Sequence, residues 1–431
     1  MSQSQFLLFG SRRFAPLFVT QFLGAMNDNL FKNALVILIL YRIADDVGMN
    51  GPILVTVAAG VFIIPFFLFS ATAGQVADKL EKSRLIRLVK LAEIAVMGLA
   101  GLAFYLGNAY VMLGVLFLMG SQSALFGPVK YGILPDHLDK HELIGGNALI
   151  EAGTFLAILI GTIAGGLIIL TEHGVAIVTV LTIAIALLGW ISSLSIPRAE
   201  PLSPDLAINP NFVAETWSIM QMAASRRDIK LSIMGISWFW LAGATYLSQF
   251  PNLAKNVLGA DEHVVTLFLV AFSVGIGLGS LLCNRLLKGE ISAKYVPFGA
   301  LGMTFFTLDL YFASRGMTAS GGSLLSLGEF IAEPSNWRII GDLVATSVSA
   351  GVFAVPLYTI LQSRGDPARR SRTIAANNIL NALFMVIGAA TAAAMLAAGW
   401  SVPEIFLAVA IANGAVAVYV CGLLPDATIS G

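Results

Sequence analysis

The chain has 431 residues, of which 57% are hydrophobic and 12% are charged. Soluble proteins carry about 25% charged residues, so this composition excludes an ordinary soluble domain and indicates a surface that lies largely in lipid. The 25 basic and 25 acidic residues balance, which gives no reason to expect a nucleic-acid partner. Cys283 and Cys421 lie far apart in apolar segments and have no metal-ligand spacing.

Twelve apolar runs are long enough to cross a bilayer, since a membrane helix needs about 20 residues. In chain order they lie near 14–40, 52–77, 85–106, 109–131, 146–170, 174–196, 231–254, 263–287, 295–314, 338–361, 374–396 and 403–424. The sequence therefore predicts an all-α polytopic membrane protein made of two six-helix bundles. Their predicted bounds are 1–196 and 231–431, joined by a cytoplasmic linker over 197–230 that contains several prolines.

The distribution of Lys and Arg predicts the orientation of the spans. If the amino terminus is cytoplasmic, the inner segments hold 20 of the 25 basic residues, as the positive-inside rule requires. The outer segments hold only Arg42, Lys255, Arg315 and Arg338, and Lys32 falls inside the first span. We therefore expect both termini to face the cytoplasm.

A short pattern recurs in the two sets of six spans. Residues 126–134 and 353–361 share their aromatic spacing and an Ile-Leu ending, and the Asn-x-x-x-polar step at 147–151 recurs at 377–381. Internal repeats are typical of transporters. The pattern predicts that the two halves are structural repeats.

The loop after the second span carries a candidate gate, Gly74-Gln-Val-Ala-Asp78-Lys79, followed by Arg84. Gly74 allows close helix contact, and a carboxylate such as that of Asp78 is favourable beside a helix amino terminus. The segment resembles the Gly-x-x-x-Asp-Arg/Lys signature of the major facilitator superfamily. The resemblance implies that Asp78 holds the start of the eleventh span when the cytoplasmic side is closed.

Glycines of the fifth and eighth spans are further gate candidates, because these two spans meet across the interface between halves in that superfamily. The candidates are Gly161, Gly165 and Gly277. Small residues also serve ordinary close packing of membrane helices, and this alternative stays open for all three.

Ionisable side chains inside a span are costly, by about 2.5–3.5 kcal/mol at mid-depth, and usually face a cavity and a partner. Asp28 lies near the middle of the first span, beside Asn29, and Lys32 lies one turn further on. An acid and a base at this spacing can neutralise each other. We favour a polar site, because three consecutive polar residues at 27–29 exceed what such a pair requires.

Other polar residues of the spans are candidates for the same site. In the first half they are Lys130, Tyr131, Asn147 and Glu151, and in the second half Gln249, Asn377 and Asn381. Lys130 also suits an anchor at the inner end of its span. Together with apolar aromatic side chains, these groups predict a site for an amphipathic zwitterion.

These motifs jointly resemble the bacterial lysophospholipid transporters, most densely over residues 14–170. The resemblance rests on residues 21–29, 74–78, 130–134, 147–152 and 161–166. It implies inward movement of lysophospholipids, especially lysophosphatidylethanolamine, across the bacterial inner membrane by alternating access. A cytoplasmic acyltransferase, separate or fused as in some relatives, would then restore the missing acyl chain. It also implies that Asp28, Asn29, Lys130, Asn147 and Glu151 meet the head group.

Three other functions are alternatives to this one. A non-transporting membrane anchor for a partner enzyme is disfavoured, because an anchor needs no buried charges. A proton-coupled exporter of drugs or small polar solutes would use Asp28 and Glu151 as protonation sites. An acyltransferase is disfavoured, because none of the four histidines is followed by Asp in a His-x-x-x-x-Asp motif. We therefore expect no catalytic residues, no metal site and no cofactor, and we expect membrane lipids and a lysophospholipid substrate as partners.

Overall fold

The computed structural model describes residues 4–39, 41, 51–317 and 323–421. Within these ranges the regular elements are helices, and the only β pairing is an isolated bridge between Ala260 and Leu325. Arg42 and the predicted end of the last span at 422–424 lie outside the described residues. The predicted fold class, an all-α polytopic membrane protein, is confirmed.

Twelve helices of 19 to 29 residues follow the twelve predicted runs in order. The first six are α1 (Ala15–Leu38), α2 (Gly51–Lys79), α3 (Lys82–Leu106), α4 (Ala109–His137), α5 (Leu143–Ile169) and α6 (Gly174–Ser193). After the linker helix α7 (Phe212–Ser225) come α8 (Arg227–Asn252), α9 (Glu262–Leu287), α10 (Val296–Ser314), the short α11 (Leu327–Ala332), α12 (Asn336–Arg364), α13 (Arg370–Ala397) and α14 (Val402–Val420). In the described part of the chain, ten of the long helices are apolar enough to cross a membrane by length and composition, and α1 and α3 are not among these ten.

The helix ends follow ordinary capping chemistry. The Asn108 side chain accepts hydrogen bonds from the first amides of α4, and the Asp261 side chain does the same for α9. Gly107, with φ of 60°, ends α3 in the left-handed region, which costs glycine little. These caps satisfy backbone groups that the first and last turns of a helix leave unpaired.

The linker is more ordered than its composition suggested. It contains α7, whose amino terminus is capped by the Asn211 side chain through the amide of Ala214. Before α7, the backbone of Asn209 pairs with the Gln75 side chain, with a 2.7 Å bond from its amide and a 3.3 Å bond to its carbonyl. The linker is therefore attached to α2. The sequence did not predict this helix, because the prolines before residue 211 are typical of a loop.

Contacts divide the chain into two compact units. Unit 1 comprises Met1–Gly146, Leu156–Arg226 and Gln362–Ala382, and unit 2 comprises Asn147–Phe155, Arg227–Leu361 and Leu383–Gly431. Parts of α5, α12 and α13 thus belong to each unit. The predicted bundle boundaries at 196 and 231 stay a prediction.

The two units use the same helix pairings. In unit 1, α2 packs on α4, α1 on α6 and α3 on α6. In unit 2, α8 and α10 both pack on α14, and Gly275 and Gly279 bring α9 onto α12 at Ser347 and Val348. The pairings correspond span by span, which agrees with the predicted repeat.

Candidate functional site

The polar turn of α1 faces α4 within unit 1. The Ser123 hydroxyl donates to Asp28 Oδ2 at 2.6 Å. Asp28 Oδ1 is buried and has no hydrogen-bond partner among the described residues. Lys32 Nζ lies 5.2 Å from the centre of the Phe62 ring, a cation–π contact with α2. No ion pair joins Asp28 to Lys32 in the described part of the chain.

A buried carboxylate in α3 extends this polar group. Glu93, only 2% exposed, accepts from Lys90 Nζ at 2.6 Å. It also accepts from Asn27 Nδ2 of α1 and Gln122 Nε2 of α4, each at 3.0 Å. The Lys90 ammonium lies 4.5 Å from the centre of the Phe126 ring. A carboxylate with three donors is well solvated by protein groups, as a buried charge must be.

The remaining predicted residues of unit 1 lie on α1, α4 and α13. Asn29 donates to the Ala25 carbonyl of its own helix at 2.8 Å, and Lys130 Nζ lies 4.3 Å from the Tyr131 ring centre. Asn377 is 0% exposed, and neither polar atom of its side-chain amide has a hydrogen-bond partner among the described residues. Asn381 is also buried, one turn further along α13.

Buried polar groups of this kind require an explanation, because leaving an amide or carboxylate oxygen unpaired away from water costs about 1–3 kcal/mol. Asp28 and Asn377 together present orphaned acceptors and a donor. A polar ligand or ordered water would satisfy both. These two side chains are the strongest binding candidates of unit 1.

Three predicted residues belong to unit 2. Asn147 donates to Thr359 Oγ1 at 3.2 Å, and Glu151 is 1% exposed. Gln249 is buried and accepts from Asn252 Nδ2 at 3.1 Å. The first two residues lie one turn apart on α5.

An aromatic group follows Glu151 by one turn on the same face of α5. The Phe155 ring stacks on Trp240 at a centroid distance of 6.0 Å and meets Phe239 edge-on. Trp240 Nε1 donates to the Tyr358 hydroxyl at 2.8 Å. Phe155, Phe239 and Trp240 thus form an aromatic cluster within unit 2.

The predicted gate residue Asp78, 2% exposed, contacts the start of α13 within unit 1. Its carboxylate accepts from the Ser371 amide at 2.8 Å, from the Arg372 amide at 3.3 Å and from Arg372 Nε at 3.0 Å. A carboxylate at a helix amino terminus is stabilised by the unpaired amides and the helix dipole. Gly74 makes the approach possible, since a Cβ there would lie 2.9 Å from the Ala375 Cβ.

The other gate candidates are distributed differently from expectation. Gly161 and Gly165 pack α5 against α1, where an added Cβ would collide with backbone of residues 26–34. Gly277 faces α5, where an added Cβ would lie 3.8 Å from the Ala152 Cβ, and this is the α5–α9 contact expected for these glycines. The sequence alone did not reveal that Gly161 and Gly165 meet α1.

Basic residues at the end of α2 and the start of α3 contact other groups of unit 1. Lys79 Nζ donates to the Leu206 carbonyl of the linker at 2.8 Å, whereas Arg84 is exposed and its amide donates to Glu81. Asp136, at the end of α4, pairs with Lys82 at 2.9 Å and with Arg370 at 2.6 Å. The region around Asp78 is therefore a network of ion pairs.

The loop between α4 and α5 carries a further ion pair outside the spans. Arg13 donates to both Glu142 carboxylate oxygens at 3.0 Å. Burial opposes ionisation of Glu142, but hydrogen bonds from the Asp139 amide and Arg13 outweigh it and lower the pKa of its carboxyl. Asp139, His141 and Glu142 could together approach a cation, although Glu142 is already held by Arg13.

The sequence analysis did not identify Gln122, Ser123, Lys90 or Glu93 as site residues. Lys90 and Glu93 lie three residues apart and form an ion pair, and Glu93 also binds α1 and α4. The cost of polar groups inside a span, which singled out Asp28, applies equally to Gln122. The sequence therefore offered a reason to single out Gln122. It offered no way to connect Gln122 with residues on other helices, because spacing rules apply only within one helix.

The sequence profile of the Major Facilitator Superfamily matches residues 17–315, well over half of the chain. The chain belongs to the Major Facilitator Superfamily. Solved structures agree on the fold: the human organic anion transporter MFSD10 (TETRAN) superposes with a TM-score of 0.75 at 14% identity, covering 95% of this chain and 99% of its own. The fucose:proton symporter FucP of E. coli gives 0.72 at 14% identity, covering 97% and 99%.

Among curated proteins, this superfamily member is similar to the lysophospholipid transporter LplT. The identity is 28% to the protein of Serratia proteamaculans, over 82% of this chain and 81% of the relative. It is 27% to that of Escherichia coli O1:K1 / APEC, over 90% of each. The chain is thus an LplT-like transporter of the superfamily, with similarity along most of its length.

We expect the substitution Asp78→Asn to release the start of α13. Loss of the charge weakens hydrogen bonds that contribute about 1.5–3 kcal/mol when one partner is ionised. In a background with Cys283→Ala and Cys421→Ala, Ser371→Cys should react with a membrane-impermeant maleimide at least about tenfold faster once Asp78→Asn is added. Asp205→Asn, at an exposed carboxylate of the linker, is the matched control and should leave the rate unchanged. Equal labelling with Asp and Asn at position 78 would show that the contact restrains nothing.

Proposed function

We propose that the protein moves lysophospholipids, in particular lysophosphatidylethanolamine, across the bacterial inner membrane to the cytoplasmic leaflet. The observation that carries this proposal is the similarity to LplT over 82–90% of the chain. The proposal includes alternating access, cytoplasmic termini and reacylation by a cytoplasmic acyltransferase.

The residues we propose to bind the substrate are those whose burial is otherwise costly. In unit 1 they are Asp28, Asn29, Lys32, Lys130, Tyr131, Asn377 and Asn381. In unit 2 they are Asn147, Glu151 and Gln249. The proposed conformational residues are Gly74, Asp78, Lys79, Arg84, Gly161, Gly165 and Gly277.

The chemistry of unit 1 supports a zwitterionic head group. Asp28 offers an unpaired carboxylate oxygen, which suits an ammonium group. Lys32 has its charge against an aromatic ring and, among the residues that the structure describes, forms no ion pair with a carboxylate, so a phosphate would be a stronger partner. Burial of a zwitterion is least costly where acidic and basic side chains are both available to pair with its two charges.

Proteoliposomes provide the test. Labelled lysophosphatidylethanolamine is added to the outer leaflet, and the fraction that albumin can extract is followed with time. We expect this fraction to fall faster than in protein-free liposomes, and diacyl phosphatidylethanolamine or water-soluble solutes to compete weakly. A proton gradient that drives flux of polar solutes, with no effect of the protein on the lysolipid, would instead support the exporter alternative.

Direction and reacylation need a cellular measurement. Spheroplasts that express the protein receive external labelled lysophosphatidylethanolamine, and labelled diacyl lipid is quantified with and without a cytoplasmic acyltransferase. We expect diacyl product only when both proteins are present. Product that forms equally without the transporter would contradict inward movement.

A further inference from the structure

Ser123 of α4 is the one hydrogen-bond donor that the structure gives to the Asp28 carboxylate among the described residues. Its hydroxyl oxygen also lies 3.2 Å from Gln122 Oε1. A hydroxyl has a single proton to donate, so the two acceptors compete for it. The shorter distance, 2.6 Å to Asp28 Oδ2, indicates which acceptor receives the proton.

The Gln122 side chain is itself held in one orientation. Its amide nitrogen donates to Glu93 Oε2 at 3.0 Å, so its oxygen must point toward Ser123. Glu93 is fixed in turn by Lys90 at 2.6 Å. The buried ion pair is therefore bonded to Gln122, the residue next to Ser123 on α4.

The same ion pair also fixes the rotation of α1. Asn27 donates to Glu93 Oε1 at 3.0 Å, and the next residue, Asp28, is held by Ser123. Two consecutive residues of α1 are thus attached to α3 and α4. With Oδ2 occupied, the orientation of Asp28 leaves Oδ1 as the unpaired acceptor.

A purely structural role does not explain this arrangement. Well-packed apolar residues stabilise a buried position as well as an ion pair does, or better. Charged side chains inside membrane-spanning helices usually belong to a substrate or ion site. The contacts end at an unsatisfied carboxylate oxygen rather than closing on themselves.

We propose that Ser123, whose neighbour Gln122 is bound by the Lys90–Glu93 pair, is a positioning residue that orients Asp28 Oδ1 toward the ammonium group of the lysolipid substrate. The inference rests on the proposed function and adds to it the residues that determine head-group selectivity. Recognition of the primary ammonium, rather than of the phosphate or acyl chain, is the property that these residues control.

The test compares lysophosphatidylethanolamine with its N-acetyl derivative, which lacks the positive charge, in proteoliposomes of the full chain. We expect wild-type protein to prefer the charged lipid by about tenfold in KM. Ser123→Ala should raise the KM for the charged lipid about tenfold with a maximal rate within twofold of wild type, and should not change the KM for the acetylated lipid. Ser123→Thr, which keeps the hydroxyl, should restore the preference.

Ser121→Ala is the matched control, because the Ser121 hydroxyl donates only to the Phe117 carbonyl of its own helix in the described structure. It should behave as wild type. Thermal unfolding of each purified variant verifies folding, and Ser123→Gly replaces Ser123→Ala if the latter does not fold. Equal KM values of the wild type for the two lipids, or a Ser123→Ala effect on both lipids alike, would overturn the inference while leaving lysolipid transport intact. Absence of uptake of either lipid by the wild type would overturn the proposed function itself, and the inference with it.

Discussion

Replacing Asp28 with Asn should reduce uptake of lysophosphatidylethanolamine by about 30-fold or more. Truncating or neutralising one member of a buried charge pair typically costs about 2–5 kcal/mol of binding free energy, and each 1.4 kcal/mol corresponds to about tenfold. The amide oxygen of Asn can still accept from Ser123, so the fold should be retained. The measurement is initial uptake into proteoliposomes at equal protein incorporation.

Asp309→Asn is the matched control for this variant. Asp309 lies on α10 and forms a bidentate pair with Arg338, with no place in the proposed site. We expect its uptake to stay within about twofold of wild type, because partly exposed ion pairs contribute about 0–1 kcal/mol. If Asp28→Asn also stayed within twofold, the assignment of the head-group site to α1 would fail.

The second large effect concerns the ion pair in α3. Glu93→Leu leaves the Lys90 ammonium, 1% exposed, without its carboxylate, and breaking a buried pair in this way costs about 3–5 kcal/mol. We expect a clear fall in the thermal unfolding temperature of the detergent-solubilised protein, and a lower yield of monodisperse protein.

Removing both charges should reverse most of this loss. In the double variant Lys90→Met/Glu93→Leu no isolated charge remains, and apolar replacement of a buried pair is often neutral or stabilising. Asn27 and Gln122 still lose an acceptor, so we expect recovery of the unfolding temperature without recovery of lysolipid uptake. A double variant with normal uptake would show that the pair has no part in transport, and a single variant of normal stability would contradict the burial argument.

Much of the fold could be predicted from the sequence, because a membrane helix is specified locally. The first span was expected over 14–40 and α1 runs from Ala15 to Leu38, and the eighth was expected over 263–287 and α9 runs from Glu262 to Leu287. Backbone groups in lipid must be bonded within their own segment. A long apolar run in a bilayer therefore forms a helix.

The candidate site was only partly predictable, because its contacts join residues far apart in the chain. The sequence identified Asp28 by the cost of its charge and Asp78 by its loop motif. It could not distinguish the Asp28–Lys32 pairing from the observed arrangement, since that depends on Ser123 and Phe62 of other helices. Helical periodicity places neighbours at i+3 and i+4, but it carries no information about which helices pack together.

The central claim is that buried charges of α1 recognise the head group of a single-chain lipid, and binding to the purified protein tests it most directly. Native mass spectrometry of wild-type protein with added lysophosphatidylethanolamine should detect one bound lysolipid per chain that diacyl phosphatidylethanolamine displaces poorly, and Asp28→Asn should lose it. Equal retention of the lysolipid by wild type and Asp28→Asn, or equal binding of the diacyl lipid, would contradict the account.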